Sequence, residues 1–588
     1  MNCPSRPDSI EEHPDWNQNP QALSADLTTQ ADLNGIANQR EQRDHGCGSH
    51  LDFQQEDRAW DIQTKRLENL NGSPPPKGPM QFSIDPIRQI NLNNTTSNMS
   101  TQLRESKQNP ISLLLTELRR VLFRYAKFVG PGFMIAVAYI DPGNYATDVE
   151  AGASTQYSHL FIILMANLFA IFLQSLCIKL GSVTGLNLAE NCRKHLPRWL
   201  TITLYVFAES AIIATDIAEV IGSVIALNLL LNVPLVAGCF ISLVDVLILL
   251  IFYNPDGNMT RLRLFEYFVM MLVLGVMICF CIELSYIPDT NVGAVFKGYV
   301  PSSDVVKGNG IYLSCGILGA TVMPHSIFLG SGIVQPRLKQ FDLQNGHYTE
   351  GDNVLTTTTV DQTQDLTKKY CPSIHAIRSC LKYSIVELAT SLFTFALFVN
   401  SAILIVAGSA LYPKTEATQA DLFGIHALLT KTLSKAAGVL FALALLLSGT
   451  SAGIVCTMAG QMVSEGMLRW TIKPWLRRLI TRSISIVPSI VIAASVGKSG
   501  LNQALTASQV VLSVILPFVT APLLWFTCRS QVMTLRIDEQ GRSRGGRETG
   551  EVVNMRNGWI VTILAVSIWL VLVVMNVALL VLVGMGKA

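Results

Sequence analysis

The chain has 588 residues, 49% of them hydrophobic and only 15% charged, and its mean hydropathy is +0.37. That is too apolar for a soluble protein of this size and too long for one soluble core, so the composition describes a chain that crosses a membrane several times. A net charge of +2 gives no global attraction for nucleic acid, and the twelve cysteines, scattered singly without C-x-x-C spacing, read as small membrane hydrophobes rather than disulfide or zinc partners.

From Met1 to about Asn109 the sequence is rich in Asn, Gln, Asp, Glu, Ser and Arg, lacks apolar periodicity and contains Pro74-Pro75-Pro76. This predicts a disordered tail, residues 1–110. No early apolar stretch marks a signal peptide, so the first span must direct insertion. The sequons at Asn71, Asn93, Asn94 and Asn98 would matter only on a lumenal tail. The tail also carries lysines, which makes it the place for trafficking or ubiquitin-ligase partners.

Eleven apolar segments follow, read against about 20 residues per spanning helix. They are Phe128–Ala151, His159–Leu180, Leu200–Leu229, Leu235–Tyr253, Phe265–Ile287, Gly310–Ile333, Ile377–Leu411, Ala436–Met458, Ile484–Val496, Ala504–Thr527 and Trp559–Val583. The eighth is expected to run on as helix towards Leu468, and the ninth is short for a span. Residues 111–528 then form a core of ten spans, and 529–588 a cytosolic loop with an eleventh.

Basic residues alternate between the connections. One set holds Arg119, Arg120, Arg124 and Lys127, then Arg193, Lys194 and Arg198, Arg261 and Arg263, Arg337, Lys339, Lys368 and Lys369, Arg469, Lys473, Arg477 and Arg478, and finally Arg529, Arg536, Arg542, Arg544 and Arg547. The other holds only Lys297, Lys307, Lys414 and Lys498. By the positive-inside rule the N-terminal tail is cytosolic and, after an odd number of spans, Ala588 is not. The sequons, Asn258 included, are then silent.

The first span contains Ala138-Tyr139-Ile140-Asp141-Pro142-Gly143-Asn144-Tyr145. A carboxylate at mid-bilayer depth costs about 2.5–3.5 kcal/mol and a helix-interior proline about 3 kcal/mol more. Proline removes an amide hydrogen and glycine relaxes the backbone, so the helix breaks here and frees carbonyls beside Asp141 and Asn144. A proline kink around a paired aspartate is the bland alternative. The sixth span repeats the pattern in Gly319-Ala320-Thr321-Val322-Met323-Pro324-His325. Two interrupted helices five spans apart fit an inverted repeat of five plus five helices with substrate held between the breaks. Asp141, Asn144, the Ala320 carbonyl and the Met323 thioether would make a mixed oxygen–sulfur shell. Such a shell suits Mn²⁺, Fe²⁺, Co²⁺, Zn²⁺ or Cd²⁺ better than Ca²⁺ or Mg²⁺. Membrane packing is the commoner use of a methionine.

The third span buries Glu209, Asp216 and Glu219. Asp216 and Glu219, three apart, share a helix face and form either one polar track or a static ion-pair network. His325 either relays protons or braces the break.

The DPGN of span one, the MPH of span six and the run from Ser448 through Gly453 to Gln461 in span eight resemble the Nramp family of proton-coupled divalent metal ion transporters, of the fungal manganese/iron type. The resemblance covers roughly Lys127 to Thr527. It implies an all-α, leucine-transporter-like fold with broken helices 1 and 6. It puts metal ligands at Asp141, Asn144, Met323 and the Ala320 carbonyl, with the Ala138 carbonyl added in one state. It also implies a proton route through Asp216 and Glu219 with basic partners at Arg482 or Arg478. Gln509 in span ten matches the family and would close over the metal in an occluded state. Ile515 and Thr450 stand where many relatives have glutamine, which weakens ligand assignments in those helices.

The sequence thus predicts a secondary transporter that moves Mn²⁺/Fe²⁺-like ions into the cytosol with protons, by alternating access, at the plasma membrane or an endosomal or vacuolar one, and with no cofactor. The rivals are an amino-acid or cation symporter on the same fold, in which Met323 has no evident task, and a non-transporting metal sensor. No nucleophile–base constellation or phosphate loop marks an enzyme.

Overall fold

The computed structural model describes residues 130–251, 259–287, 291–307, 310–348, 370–412, 421–468, 474–537 and 551–585. The N-terminal tail, Asn258 and most of the long sixth connection lie outside the described residues.

The first span is two helices. α1 (Pro131–Val137) unwinds through Ala138, Tyr139 and Ile140, whose amides reach back only three residues, and α2 (Pro142–Thr155) starts afresh. Proline at the first helical position loses nothing there, because first-turn amides have no helical acceptor, but it cannot continue the helix before it. α3 (Leu160–Thr184) ends on Gly185 in the left-handed region, φ 65°, and α4 (Leu188–His195) opens with a capping box between Asn187 and Glu190. α5 (Arg198–Leu231), α6 (Leu235–Ile251) and α7 (Met259–Ser285) follow, then the short α8 (Val292–Gly298). The sixth span is broken as well: α9 (Gly310–Thr321) stops, Val322 and Met323 leave the helix, and α10 (Pro324–Gly332) restarts on proline and leads into α11 (Gln335–Gln344).

α12 (Ile374–Ser391) passes through a π-helical turn, Leu392–Ala396, into α13 (Leu397–Ala410). The short α14 (Leu422–Thr432) precedes α15 (Lys435–Leu468), α16 (Pro474–Ser495) and α17 (Lys498–Cys528). An antiparallel hairpin, β1 (Thr534–Ile537) and β2 (Glu551–Asn554), leads to α18 (Trp559–Gly584).

Among the described residues eight helical stretches are long and apolar enough to cross a membrane, and shorter apolar helices cover Leu235–Ile248 and Leu479–Ser495. Neither piece of the first span qualifies alone, since the break divides it. In the membrane window of α5 83% of residues are buried, against 28% in α18, so α5 is central and α18 faces lipid. Two apolar clusters meet on α5: one joins it to α1, α7, α13 and α15, the other to α3, α10, α17 and α18.

Three expectations are corrected. The ninth span starts at Pro474, ten residues before the apolar run, because the buried Arg482 interrupts the hydropathy without ending the helix. The tenth starts at Lys498 rather than Ala504. The loop before the last span contains the hairpin, whose four-residue strands flank a charged, glycine-rich insert that reads as loop.

Candidate functional site

Asp141 is the N-cap of α2. Its Oδ1 accepts from the Asn144 amide at 3.1 Å and from Asn144 Nδ2 at 2.7 Å, so the helix start orients the carboxylate. Its Oδ2 is buried without a partner. An ionised oxygen in that state is costly until a cation or a proton meets it.

Both breaks free a carbonyl by the same arithmetic. The helical donors to Ala138 and Ala320 would be residues 142 and 324, and both are proline. Other carbonyls around the breaks are held by side chains: Tyr139 O accepts from Asn144 Nδ2 at 3.2 Å and from Asn400 Nδ2 at 3.1 Å, Ile140 O from Ser448 Oγ at 2.6 Å and Met323 O from Ser326 Oγ at 2.7 Å. The backbone at each break is therefore fixed by buried donors.

The two breaks touch. Thr321 Oγ1 donates to Asn144 Oδ1 at 3.3 Å, and the Tyr139 hydroxyl lies 3.0 Å from Ser326 Oγ. Gln174 Nε2 donates to both hydroxyls, at 2.9 and 2.8 Å. Met323 caps α10 and its side chain sits in the apolar cluster of α3, α5, α10 and α17. Asp141, Asn144, Ala320 and Met323 are each at most 1% exposed, so this conformation is shut to solvent. Gln509 of α17 lies against Gly143, where a Cβ would overlap its amide, and its Oε1 is buried without a partner. Gly143 is thus required for close approach rather than for its backbone angles.

His325 links the second break to the third span. Its Nδ1 lies 3.3 Å from Thr215 Oγ1, which itself donates to Ala211 O at 3.0 Å, so the ring nitrogen is the donor of the pair; Nε2 is buried and free of partners. The next residue, Asp216, forms an ion pair with Arg482 of α16, and Ser485 Oγ donates to its Oδ2 at 2.5 Å. Arg482 Nη1 is 3.5 Å from Glu219 Oε2. Ligand atoms of Asp216, Glu219 and Cys456 lie within 4.8 Å of one another, but the guanidinium already occupies the cation's place among them. Two carboxylates face this one guanidinium in a buried setting, so the cluster has one acidic group more than it has cations. Glu209 lies on the same helix with Oε2 unpartnered. Arg478 lies in α16 with its side chain outside the described residues.

The sequence reading missed a second cluster at the start of α1. Glu387 Oε1 of α12 accepts from Gly130 N at 2.7 Å and Gly132 N at 2.9 Å, and Arg337 of α11 pairs with Glu266 of α7 at 2.5 Å. Gly130 has φ 149°, and a Cβ there would strike Glu266 and Arg337. The signal was available, since carboxylates inside apolar spans are rare and expensive. The buried carboxylates of Asp148 and Glu283, without hydrogen-bond partners, carry the same signal.

A membrane protein that is helical apart from one hairpin, and whose two interrupted helices meet through buried polar atoms, has the build of a secondary transporter. Residues 132–538 match the family described as natural resistance-associated macrophage protein-like. The manganese transporter SMF1 of Saccharomyces cerevisiae is 52% identical over 80% of this chain and 87% of its own length, and the iron transporter SMF3 of the same yeast is 46% identical over 76% and 94%. A solved structure of the Eremococcus coleocola manganese transporter, in complex with an aromatic bis-isothiourea substituted compound, has a TM-score of 0.62 at 29% identity and covers 77% of this chain and 86% of that one. The chain belongs to the Nramp family, and its fold is leucine-transporter-like.

Proposed function

We propose that the protein carries divalent transition metal ions of the Mn²⁺/Fe²⁺ kind into the cytosol, coupled to protons, by alternating access around the paired breaks. The observation that carries this reading is Asp141 Oδ2, a buried carboxylate oxygen without a partner beside the proline-freed carbonyls of a broken span. Asp141 and Asn144 supply oxygen ligands, Ala320 and, in another state, Ala138 supply carbonyls, and Met323 supplies a sulfur that disfavours Ca²⁺ and Mg²⁺. Gln509 closes over the ion. The proton that Asp141 exchanges for metal leaves through His325, Thr215 and the Asp216–Glu219–Arg482 cluster, which is short of one positive charge. Arg478, four residues before Arg482 in α16, is the alternative basic partner on that route. The SMF1 and SMF3 similarities support manganese and iron as cargo.

The tail lies in the cytosol, where its lysines serve trafficking or ubiquitin-ligase partners, and the last helix ends on the far side of a plasma, endosomal or vacuolar membrane. The test is Mn²⁺ uptake by proteoliposomes containing only this protein. Uptake that an acidic exterior accelerates, and that Fe²⁺ and Cd²⁺ inhibit far better than Ca²⁺, is expected. Vesicles that bind Mn²⁺ without accumulating it would contradict transport and favour a sensor.

A further inference from the structure

A cavity of about 950 Å³ opens between the start of α5, the second half of α17 and α18, on the side of the fold that α18 exposes. It matches the upper end of ligand cavities, about 300–1,000 Å³. Phe207, Phe518, Val573 and Leu580 give its walls an apolar surface. The polar atoms nearest to it are already used: Trp569 Nε1 donates to Pro517 O at 2.9 Å, and Asn576 accepts from Ser513 Oγ at 2.6 Å and donates to Leu572 O at 2.8 Å. The body of the cavity therefore suits a hydrocarbon and offers nothing to a polar solute.

One end differs. Arg529, the residue after α17, is exposed there with its guanidinium carbon 5.2 Å from the Trp525 ring centroid, and no carboxylate among the described residues pairs with it. His195 shares this end, its ring 5.8 Å from that of Phe526. Partial burial first, then the neighbouring cations Lys194 and Arg529, hold His195 below the ordinary histidine pKa, as a locally positive field requires. Trp525 and Trp199 are 57% and 69% exposed near the ends of α17 and α5, and exposed tryptophan at the end of a span is characteristic of the lipid headgroup region. An apolar slot ending in a cation that no described carboxylate pairs with, beside exposed tryptophans, is complementary to an amphiphile with an anionic head.

We infer that this groove is a binding site for one anionic phospholipid, with an acyl chain lying between α5, α17 and α18 and its phosphate on Arg529 next to Lys194. The bound lipid ties the peripheral α18 to α17. This site is separate from the metal site and stands whether or not the transport reading does.

The test is native mass spectrometry of the full chain, purified in detergent and titrated with dioleoyl phosphatidylserine, dioleoyl phosphatidylcholine or glycerophosphoserine, which has the head but no chains. One phosphatidylserine per chain is expected to be retained in preference to phosphatidylcholine, with no retention of glycerophosphoserine. Arg529→Gln should weaken phosphatidylserine about fivefold, the effect of one cation near a lipid surface. Ala521→Trp, which fills the slot and leaves Arg529 in place, should abolish retention, with unaltered circular dichroism and elution volume in detergent certifying the folds of both variants. Equal retention of phosphatidylcholine, wild-type retention by Arg529→Gln, or competition by glycerophosphoserine would each overturn the proposal. So would a second protein copy in the lipid's place. If Ala521→Trp fails to fold, the Arg529→Gln comparison alone decides.

Discussion

Asp141 divides its labour between two oxygens, one bonded twice to Asn144 and one left without a partner. Placing a carboxylate so deep is explained by what the idle oxygen can receive. Met323 stands beside it in the proposed shell, and Met323→Ala should lower Mn²⁺ and Cd²⁺ uptake while letting Ca²⁺ compete better, measured as inhibition constants in proteoliposomes. Unchanged Ca²⁺ competition in the folded variant would return Met323 to packing. Arg482 is held by two carboxylates, so Arg482→Met should cost about 3–5 kcal/mol of stability by stranding them. Much of that loss should be recovered in a variant that also carries Asp216→Asn and Glu219→Gln, read by thermal unfolding in detergent. If the triple variant is no more stable than Arg482→Met, the pairing is not what holds α16 to α5. These residues could be picked from the sequence because each is a local exception, a charge or a proline inside an apolar run. Glu387 and Glu266 obey the same rule, yet their partners could not be read, since Gly130 and Gly132 lie 257 and 255 positions from Glu387, and Arg337 lies 71 from Glu266.

α1 is the shortest piece of either broken span, and its first amides are held by Glu387 while Arg337 and Glu266 close around Gly130. The helix is thereby tied at one end to α7, α11 and α12 and unwound at the other, a hinged element under a latch. Glu387→Ala should release it. A cysteine at Met134, buried here, should then react with a thiol reagent about tenfold faster in a background lacking the native cysteines, because two hydrogen bonds of about 0.5–1.5 kcal/mol each are lost. An unchanged labelling rate would mean the latch does not hold α1. Helix starts were legible where a proline stands inside an apolar run, as at Pro142 and Pro324, whereas the Asn187–Glu190 box went unread although its chemistry is equally local. The ninth span was misjudged because hydropathy counts Arg482 as a boundary although its charge is satisfied inside the bundle. The hairpin was invisible because four-residue strands stabilised by their partner and by packing on the core carry little signal of their own.

At the scale of the molecule, the alternating basic connections are the basis of the proposed orientation, and the paired breaks are the basis of the proposed task. A tag before Met1 should be protected from external protease in intact cells and one after Ala588 accessible; the reverse pattern, or a glycan at Asn94 or Asn258, would invert the topology. The repeat of a proline-broken helix was legible because both breaks use the same device. How the third span connects to the second break was not, since it depends on His325 reaching Thr215 across 110 positions. In the proposed mechanism the carboxylates divide into two sets: Asp141 would hold the ion, and Asp216 and Glu219 would carry onward the proton it releases. Calorimetric Mn²⁺ titration of purified wild-type, Asp141→Asn and Glu219→Gln proteins, side by side, tests that division most directly. Loss of Mn²⁺ binding in Asp141→Asn with binding retained in Glu219→Gln is the predicted result; normal Mn²⁺ binding by a folded Asp141→Asn protein would contradict the account.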